Sequence, residues 1–264
     1  MDLKVKHKTA FISGSTDGIG FAIACKFLEE GTKVIINGRS EKSITRALER
    51  LKEEFPEAAV SGIPADFSIS DEVEKLIKEL PDIDILINNV GIFESKKFTD
   101  IPDNEWFRFF EVNVMSGIRL SRHVLPGMLQ RNDGRIIFIS SESAVFIPEE
   151  MIHYGMTKTA QLAVSRGLAE LTKGTRVTVN AVLPGPTKSA SMEAFLRELA
   201  ITENMTAIEV EKKFFSESRP ASLLQRFASV DEVASTVVYF ASPLASATNG
   251  AAIRVEGGIV RSVL

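Results

Sequence analysis

The feature that most constrains the fold of this 264-residue chain is a regular alternation of short β-branched runs with amphipathic helical stretches. The first four runs are TAFIS, KVIIN, AAVSGIP and DILIN, and helical patterns separate them. Repeated units of strand, helix and strand predict a parallel sheet covered by helices on both faces. Because such crossovers are right-handed, the sequence predicts a doubly wound, Rossmann-type α/β fold.

The alternation continues along the chain with one interruption. Strands are predicted at RIIFIS, RVTVNAVLP and AAIRV, and helices over about 104–131, from about 151, and over about 230–241. Residues 187–224 instead form a mostly helical pattern after a strand, which is typical of a lid over a ligand. We therefore expect a single domain over residues 1–264, with 187–224 as a substrate lid.

Composition and charge argue against several other classes of protein. The formal net charge is -4, from 35 acidic and 31 basic residues spread along the chain, so nucleic acid is not expected as a partner. Cys25 is the only cysteine and the three histidines lie far apart, so neither a disulfide nor a metal site is predicted. No apolar stretch is long enough for a signal peptide or a membrane span, and we expect a cytoplasmic protein.

A glycine-rich turn, SGSTDGIG, connects the first predicted strand to the first predicted helix. Its glycines would allow the backbone to approach a pyrophosphate, whose charge the N–H groups at a helix N-terminus stabilise. The spacing is G-x-x-x-G-x-G rather than G-x-G-x-x-G, and a simple strand-to-helix turn is the alternative when this motif is taken alone. The candidate phosphate loop comprises Gly14, Ser15, Asp17, Gly18, Ile19 and Gly20.

Tyr154 and Lys158 lie four residues apart in a predicted helix, so a phenol and an ammonium share one face. A free phenol has a pKa of about 10, too high for easy reversible proton transfer near neutrality. An ammonium about 5 Å away, at an effective dielectric constant of about 20, would favour the phenolate by about 3 kcal/mol. We therefore expect Lys158 to make Tyr154 a usable acid and base.

Ser141 ends the strand RIIFIS, thirteen residues before the tyrosine. The carboxyl edge of a parallel sheet presents ligand-binding groups, so this hydroxyl would hydrogen-bond a substrate oxygen. Ser140 is the competing position, although strand alternation turns the two side chains to opposite faces. Glu142 is expected to be a surface carboxylate, since Glu is seldom buried.

Together these motifs resemble the short-chain dehydrogenase/reductase family. The resemblance rests on the glycine spacing, NNVG at 88–91, Ser141, Tyr154 with Lys158, and PGPT at 184–187, in the order typical of the family. It implies an oxidoreductase that uses NAD(P) and reversibly reduces a carbonyl to an alcohol, with hydride from the nicotinamide and the proton from Tyr154. The positive charge of the oxidised nicotinamide would further favour the phenolate.

The same resemblance implies roles for residues that no local pattern singles out. Asn113 would be the fourth catalytic residue, holding a water in a proton relay to Lys158, which also holds the nicotinamide ribose. Asp66 would contact the adenine. The remaining residues expected along the cofactor are Asn89, Gly91, Pro184, Gly185 and Thr187.

The choice between NADP(H) and NAD(H) depends on the end of the second strand, where an acidic residue would hold a ribose diol and repel a 2'-phosphate. That position is Gly38, and Arg39 follows it with a guanidinium suited to a phosphate. NADP(H) is therefore favoured. Asp17 places a negative charge in the glycine loop, and this keeps NAD(H) open.

The substrate and the partners remain open between several readings. The overall pattern resembles reductases of 3-oxoacyl thioesters, while a dehydrogenase of a sugar, a steroid or a small ketone is the alternative, and a non-catalytic NAD(P) sensor is a third. The resemblance also implies a homotetramer or homodimer. Basic residues that would favour an acyl-carrier partner occur among acidic ones in the predicted lid: Lys188, Arg197, Lys212, Lys213 and Arg219.

Apolar residues offer two further groups of candidates. An aromatic group with helical spacing favours the core or a subunit interface over a ligand cage, and it comprises Phe93, Trp106, Phe107, Phe109 and Phe110. Apolar residues of the predicted lid are the better candidates for substrate contact, and these are Met192, Phe195, Leu196, Met205 and Phe214.

Overall fold

The computed structural model of the protein describes residues 2–263, apart from the side chain of Ser191. Nine strands are present in this part of the chain: β1 (Thr9–Ile12), β2 (Lys33–Gly38), β3 (Val60–Pro64), β4 (Ile85–Asn88), β5 (Gly134–Ile139), β6 (Val177–Pro184), β7 (Thr187–Lys188), β8 (Ala228–Ser229) and β9 (Ala252–Val255). The helices are α1 (Gly18–Glu29), α2 (Glu41–Glu54), α3 (Ser70–Glu79), α4 (Asp103–Phe110), α5 (Ser116–Arg131), α6 (Ile152–Glu170), α7 (Ala190–Glu203), α8 (Ala207–Glu217) and α9 (Val230–Phe240).

Seven of the strands form one parallel sheet in the order β3-β2-β1-β4-β5-β6-β9. The order reverses between β1 and β4, and a crevice for a ligand opens at such a point beyond the carboxyl ends of the strands. The predicted Rossmann-type fold is confirmed.

The helices cover both faces of the sheet because the strand side chains alternate. Ala10 and Ile12 of β1 pack in one core with α1, α2 and α9. Phe11, between them, packs in the second core with α3 and α5. The strands are therefore apolar on both faces, as a doubly covered parallel sheet requires.

The long helical region predicted over about 104–131 contains three parts. Between α4 and α5 the turn at Glu111–Met115 widens into a π-helix, and the chain remains helical through it. Wide turns of this kind are frequent at functional sites. Here the wide turn carries Asn113, which is fully buried.

The segment 187–224, predicted as a helical insertion, contains α7 and α8 and has a small core of its own. Helices α7 and α8 leave the sheet through β7, which pairs with β8 at the base of the insertion. The buried apolar side chains between them are Leu196, Ala200, Val210, Phe215 and Phe227. Met192, Met205 and Phe214, expected to contact a substrate, pack against this core, while Phe195 is exposed.

Cys25 lies half-buried in α1. Burial, and next the charge of Glu54, raise the pKa of its thiol to about 11. A protonated thiol is a poor nucleophile and metal ligand, so Cys25 fits a structural role. No metal-binding group of His, Cys, Asp and Glu side chains occurs within residues 2–263, and none of the helices there is long and apolar enough to cross a membrane.

Candidate active site

The glycine turn after β1 has a backbone that only glycine accommodates easily. Gly14 and Gly18 have φ angles of +60° and +59°. A methyl group at Gly20 would come within 2.5 Å of the Gly14 carbonyl oxygen and 2.6 Å of Asn89 Nδ2. This close packing brings the N-terminus of α1 to the crevice, and the Asp17 side chain does not cap it. The N–H groups of the first turn are therefore available to an anion.

Several residues assigned to the cofactor hold this turn in place. Ser15 is fully buried, its hydroxyl donates to the Ile12 carbonyl oxygen, and its N–H donates to the Asn37 carbonyl oxygen. Asn89 donates from Nδ2 to the carbonyl oxygens of Ser13 and Gly14, at 3.0 and 2.8 Å. Ser15 and Asn89 thus use polar side-chain atoms to hold the glycine turn, where the sequence predicted contacts with a cofactor.

The carboxyl end of β2 leaves no space for an acidic side chain. A methyl group at Gly38 would lie 2.5 Å from Thr16 Cγ2. The next residue, Arg39, is exposed at this edge. Asp66, at the edge of the neighbouring β3, accepts hydrogen bonds from the N–H and hydroxyl of Ser68.

The PGPT segment lies close to the glycine turn. Pro184 ends β6, and Gly185 packs so tightly on Glu256 that a methyl group there would approach its Cα to 2.7 Å. The Thr187 hydroxyl donates to the Gly185 carbonyl oxygen at 2.9 Å. Ser189, at the start of α7, lies 3.6 Å from where a side chain of Gly18 would begin. The insertion therefore starts at the end of the crevice where the glycine turn lies.

Lys158 is buried at the carboxyl edge of the sheet. Its Nζ donates to the Ile139 carbonyl oxygen at 2.9 Å and to Gln161 Oε1 at 3.3 Å. It also lies 5.6 Å from the centroid of the Tyr154 ring. Burial lowers the pKa of Lys158 to about 8. The ammonium and the phenol share one site, as their spacing predicts.

The pKa of Tyr154 is raised, whereas the sequence predicted that Lys158 would lower it. Burial raises the pKa of the phenol well above its usual value, a side-chain hydrogen bond with Ser141 opposes this, and the charge of Glu142 adds to it. Desolvation is the largest effect, because a phenolate here would lose its hydration. Lys158 alone therefore does not bring the pKa of Tyr154 close to neutral pH.

Asn113 is anchored by the protein on every side. Its Oδ1 accepts from the Ile92 N–H at 2.7 Å, and its Nδ2 donates to the Ile92 carbonyl oxygen and to Thr157 Oγ1. Its own carbonyl oxygen accepts from Gln161 Nε2 at 2.5 Å. Since Gln161 also accepts from Lys158, one amide side chain links Asn113 to the lysine, where sequence reasoning expected a water.

Ser141 lies just after β5 and contacts a buried carboxylate. Its Oγ donates to Glu142 Oε2 at 2.5 Å. The expectation that Glu142 lies on the surface is wrong, since the residue is 5% exposed. The reason is tertiary: Arg219, which follows α8, lies 3.5 Å from its Oε1 and supplies an opposite charge. Ser140, as expected, faces away and donates to the Lys158 carbonyl oxygen.

Comparison with known proteins identifies the family. A family model described as enoyl-(acyl carrier protein) reductase matches residues 14–260. The uncharacterized oxidoreductase YvaG of Bacillus subtilis (strain 168) is 49% identical over 263 residues, and the match covers all of both chains. The chain belongs to the short-chain dehydrogenase/reductase family.

Two further members of the short-chain dehydrogenase/reductase family differ in their substrates. The 3-oxoacyl-[acyl-carrier-protein] reductase FabG of Buchnera aphidicola is 30% identical over 97% of this chain and 99% of its own length. The crystal structure of L-sorbose reductase from Gluconobacter frateurii, complexed with NADPH and L-sorbose, superposes with a TM-score of 0.92 at 29% identity and covers all of both chains. The predicted resemblance is confirmed. Enzymes of this family interconvert CH–OH and C=O groups.

The sequence assigned neither Gln161 nor Asn37 to this candidate site, and it placed Arg219 only among the basic residues of the predicted lid. Gln161 follows Lys158 by three residues in α6, so its helical spacing was a usable signal. Asn37 accepts from the Gly14 N–H at 3.0 Å, and a polar residue inside an apolar strand was its signal. Arg219 is 77 positions after Glu142, and no local pattern joins the two.

The aromatic group divides between the core and the surface. Phe109 is buried and packs on the ring of His153, with centroids 4.1 Å apart. Phe107 is exposed, which suits the predicted interface. Phe93 is exposed too, and its ring meets the ring of Tyr154 edge-on with centroids 6.3 Å apart, so it borders the candidate active site.

Proposed function

We propose that this protein is an NADP(H)-dependent oxidoreductase that reversibly reduces a carbonyl group to an alcohol. The observation that carries the proposal is the convergence of Tyr154, Lys158 and Ser141 at the carboxyl edge of the sheet, beside the glycine turn. A hydroxyl donor, a buried ammonium and a phenol at one crevice are the groups that a carbonyl oxygen needs during its reduction.

The crevice fits a dinucleotide on two independent grounds. The glycine turn approaches its neighbours more closely than any side chain would permit, and the first turn of α1 offers N–H groups to a pyrophosphate. Arg39 is exposed beside Gly38, where the first carbon of any side chain would clash with Thr16. A guanidinium in that position suits a 2'-phosphate, which favours NADP(H) over NAD(H). The cofactor would supply or accept hydride.

The residues of this chain would handle the proton and the oxygen. Tyr154, a phenol that is protonated at neutral pH, protonates the carbonyl oxygen in the reductive direction. Ser141 orients that oxygen with its hydroxyl. Lys158 supplies a buried positive charge beside the ring, and Gln161 and Asn113 hold the ammonium in place.

Two candidate functions differ in the carbonyl compound that is reduced. FabG and L-sorbose reductase, both similar to this chain, have names that point to a 3-oxoacyl thioester and to a sugar. A basic patch for an acyl carrier is poorly supported, because lid cations lie in ion pairs: Lys188 with Glu211, Arg197 with Glu193, and Lys213 with Glu203. We therefore favour a small polar ketone, and the α7–α8 insertion serves as the lid over it.

The test follows the absorbance of NADPH and of NADH with a panel of carbonyl compounds. Wild type should oxidise NADPH only when a carbonyl substrate is present, and Tyr154→Phe should lower kcat by about 10²-fold or more while NADPH still binds. Arg39→Ala should raise the KM for NADPH about tenfold or more and leave the KM for NADH unchanged. Arg46→Ala, on the exposed face of α2, is the matched control.

Two results would contradict the proposal. NADPH oxidation that depends on neither the carbonyl compound nor Tyr154 would remove the catalytic assignment. Tight NADPH binding without turnover of any carbonyl would instead favour a sensor that retains the fold.

A further inference from the structure

A buried ion pair joins the end of the catalytic strand to the lid. Glu142 follows Ser141 directly, and its Oε1 lies 3.5 Å from Nε of Arg219. The two side chains are only 7% and 11% exposed. Two buried charges are unfavourable unless hydrogen bonds satisfy them, so the remaining partners of both groups matter.

The hydrogen bonds of this pair are incomplete. Glu142 Oε2 accepts from Ser141, and a guanidinium Nη1 of Arg219 donates to the Ser218 carbonyl oxygen at 2.8 Å. Arg219 Nε, however, has no hydrogen-bond partner anywhere in the described part of the chain. Buried N–H groups are nearly always paired in proteins. A donor and an anionic acceptor therefore stand side by side, one residue from the serine that orients the carbonyl oxygen.

On the basis of the proposed function, we propose that Glu142 and Arg219 recognise a hydroxyl group on the carbon next to the substrate carbonyl. The substrate class is then the α-hydroxy ketones, and the product is a vicinal diol. A hydroxyl can donate its proton to the Glu142 carboxylate and accept from Arg219 Nε at the same time. Reduction adds one hydride from NADPH to the carbonyl carbon and one proton to its oxygen, and the neighbouring hydroxyl is unchanged.

Other groups at this position satisfy the pair less well. A substrate carboxylate would be repelled by Glu142, and an ammonium would be repelled by Arg219. An alkyl group, such as the chain of an acyl thioester, would exclude water from both charges and leave the Arg219 donor unpaired. Only a neutral group that both donates and accepts complements the two residues together.

The first experiment needs wild-type protein alone. NADPH oxidation is measured with hydroxyacetone and with 2-butanone, which has a methyl group in place of the hydroxyl. The kcat/KM for hydroxyacetone should be higher by about tenfold or more, because a site built to hydrogen-bond a hydroxyl rejects an analogue without one. Methoxyacetone, which accepts but cannot donate and has a similar inductive effect, should resemble 2-butanone.

Variants then assign the preference to the ion pair. In Arg219→Met the ratio of kcat/KM for hydroxyacetone over 2-butanone should fall about tenfold, and in Arg219→Lys it should fall by less. Arg197→Met removes another lid arginine, one that pairs with Glu193 on the surface, and should leave the ratio unchanged. Circular dichroism checks folding, and if Arg219→Met does not fold, the wild-type ratio and Arg219→Lys decide the matter.

The outcomes distinguish a failure of the hydroxyl-recognition proposal from a failure of the proposed carbonyl reductase function. Two results would contradict this inference: equal or faster turnover of 2-butanone or methoxyacetone by wild type, or an unchanged ratio in both Arg219 variants. The ion pair would then have only a structural role, and the proposed carbonyl reductase function would be unaffected. Tyr154-dependent turnover of an acetoacetyl thioester in preference to hydroxyacetone would have the same consequence. If no carbonyl were reduced, the proposed function would fail, and this inference would fail with it.

Discussion

Charged side chains held inside the protein dominate the chemistry at the scale of single residues. Lys158 is 4% exposed, and its hydrogen bonds to Ile139 and Gln161 do not offset the loss of hydration, so its pKa falls to about 8. Glu142 is also buried, and its negative charge raises the pKa of Tyr154. The site thus holds a buried cation beside the Tyr154 ring and a buried anion whose charge raises the pKa of its phenol.

Lys158→Met should stabilise the protein at pH 7 by up to about 3 kcal/mol while abolishing turnover. Lys158 is protonated in both folded and unfolded chains below pH 8, so the penalty for its burial is fully present there. Between pH 8 and about 10.5 the folded protein loses this proton first, so wild-type stability rises with pH and the gain from the substitution shrinks. Urea unfolding followed by Trp106 fluorescence at pH 7 and pH 10 measures both effects.

A suitable control for this substitution is Lys78→Met, on the exposed face of α3. It should change neither the stability at pH 7 nor its dependence on pH. A wild-type stability that stayed flat between pH 8 and pH 10 would show that the Lys158 pKa is not lowered.

Glu142→Gln should shift the pH dependence of alcohol oxidation toward lower pH. Oxidation needs the phenolate of Tyr154, so kcat/KM rises as the pH passes through the pKa of that group. The carboxylate of Glu142 raises this pKa, and a neutral amide therefore lowers it. Glu193→Gln, in the lid, should leave the profile in place, whereas an unmoved profile in Glu142→Gln would argue against electrostatic tuning.

At the scale of secondary structure, the ends of the elements position the site. The turn from β1 to α1 depends on glycine for its close packing, and the wide turn between α4 and α5 places the Asn113 carbonyl within reach of Gln161. Helix α6 then carries Tyr154, Lys158 and Gln161 on adjoining positions of one face. Rigid elements therefore hold each reactive group.

Gly20→Ala should weaken NADPH binding at least about tenfold and destabilise the fold by about 1–3 kcal/mol, because its methyl group would meet the Gly14 backbone at 2.5 Å. The matched control is Gly167→Ala in α6, where a methyl group meets no atom within 4 Å. That substitution should stabilise the protein by about 0.5–1 kcal/mol. Isothermal titration with NADPH and thermal unfolding separate the two effects, and equal behaviour of both variants would contradict the crowding at Gly20.

At the scale of the whole molecule, one surface is unusually apolar. Phe98, Phe107 and Phe110, on and just before α4, are 60%, 74% and 39% exposed. Phe107 and Phe110 lie about one turn apart on α4, and exposed apolar side chains grouped in this way mark association sites. We propose that this surface contributes to the homodimer or homotetramer that the sequence resemblance implies.

Light scattering after gel filtration should give wild-type protein a mass that is a multiple of the 29.0 kDa chain. Phe107→Lys should lower that mass or make it depend on protein concentration, because a charge would be buried in the interface. Ile201→Lys, on the exposed side of α7, should leave it unchanged. A wild-type mass of one chain would contradict the oligomer.

The sequence by itself determined the order of strands and helices, the glycine turn, and the pairing of Tyr154 with Lys158, because these depend on local periodicity and on residues a few positions apart. It also located the insertion. The tertiary structure alone decided what depends on burial and on distant contacts: the raised pKa of Tyr154, the buried state of Glu142, and the approach of Arg219 to it. Desolvation and long-range pairing leave no local signature, so only the folded chain reveals them.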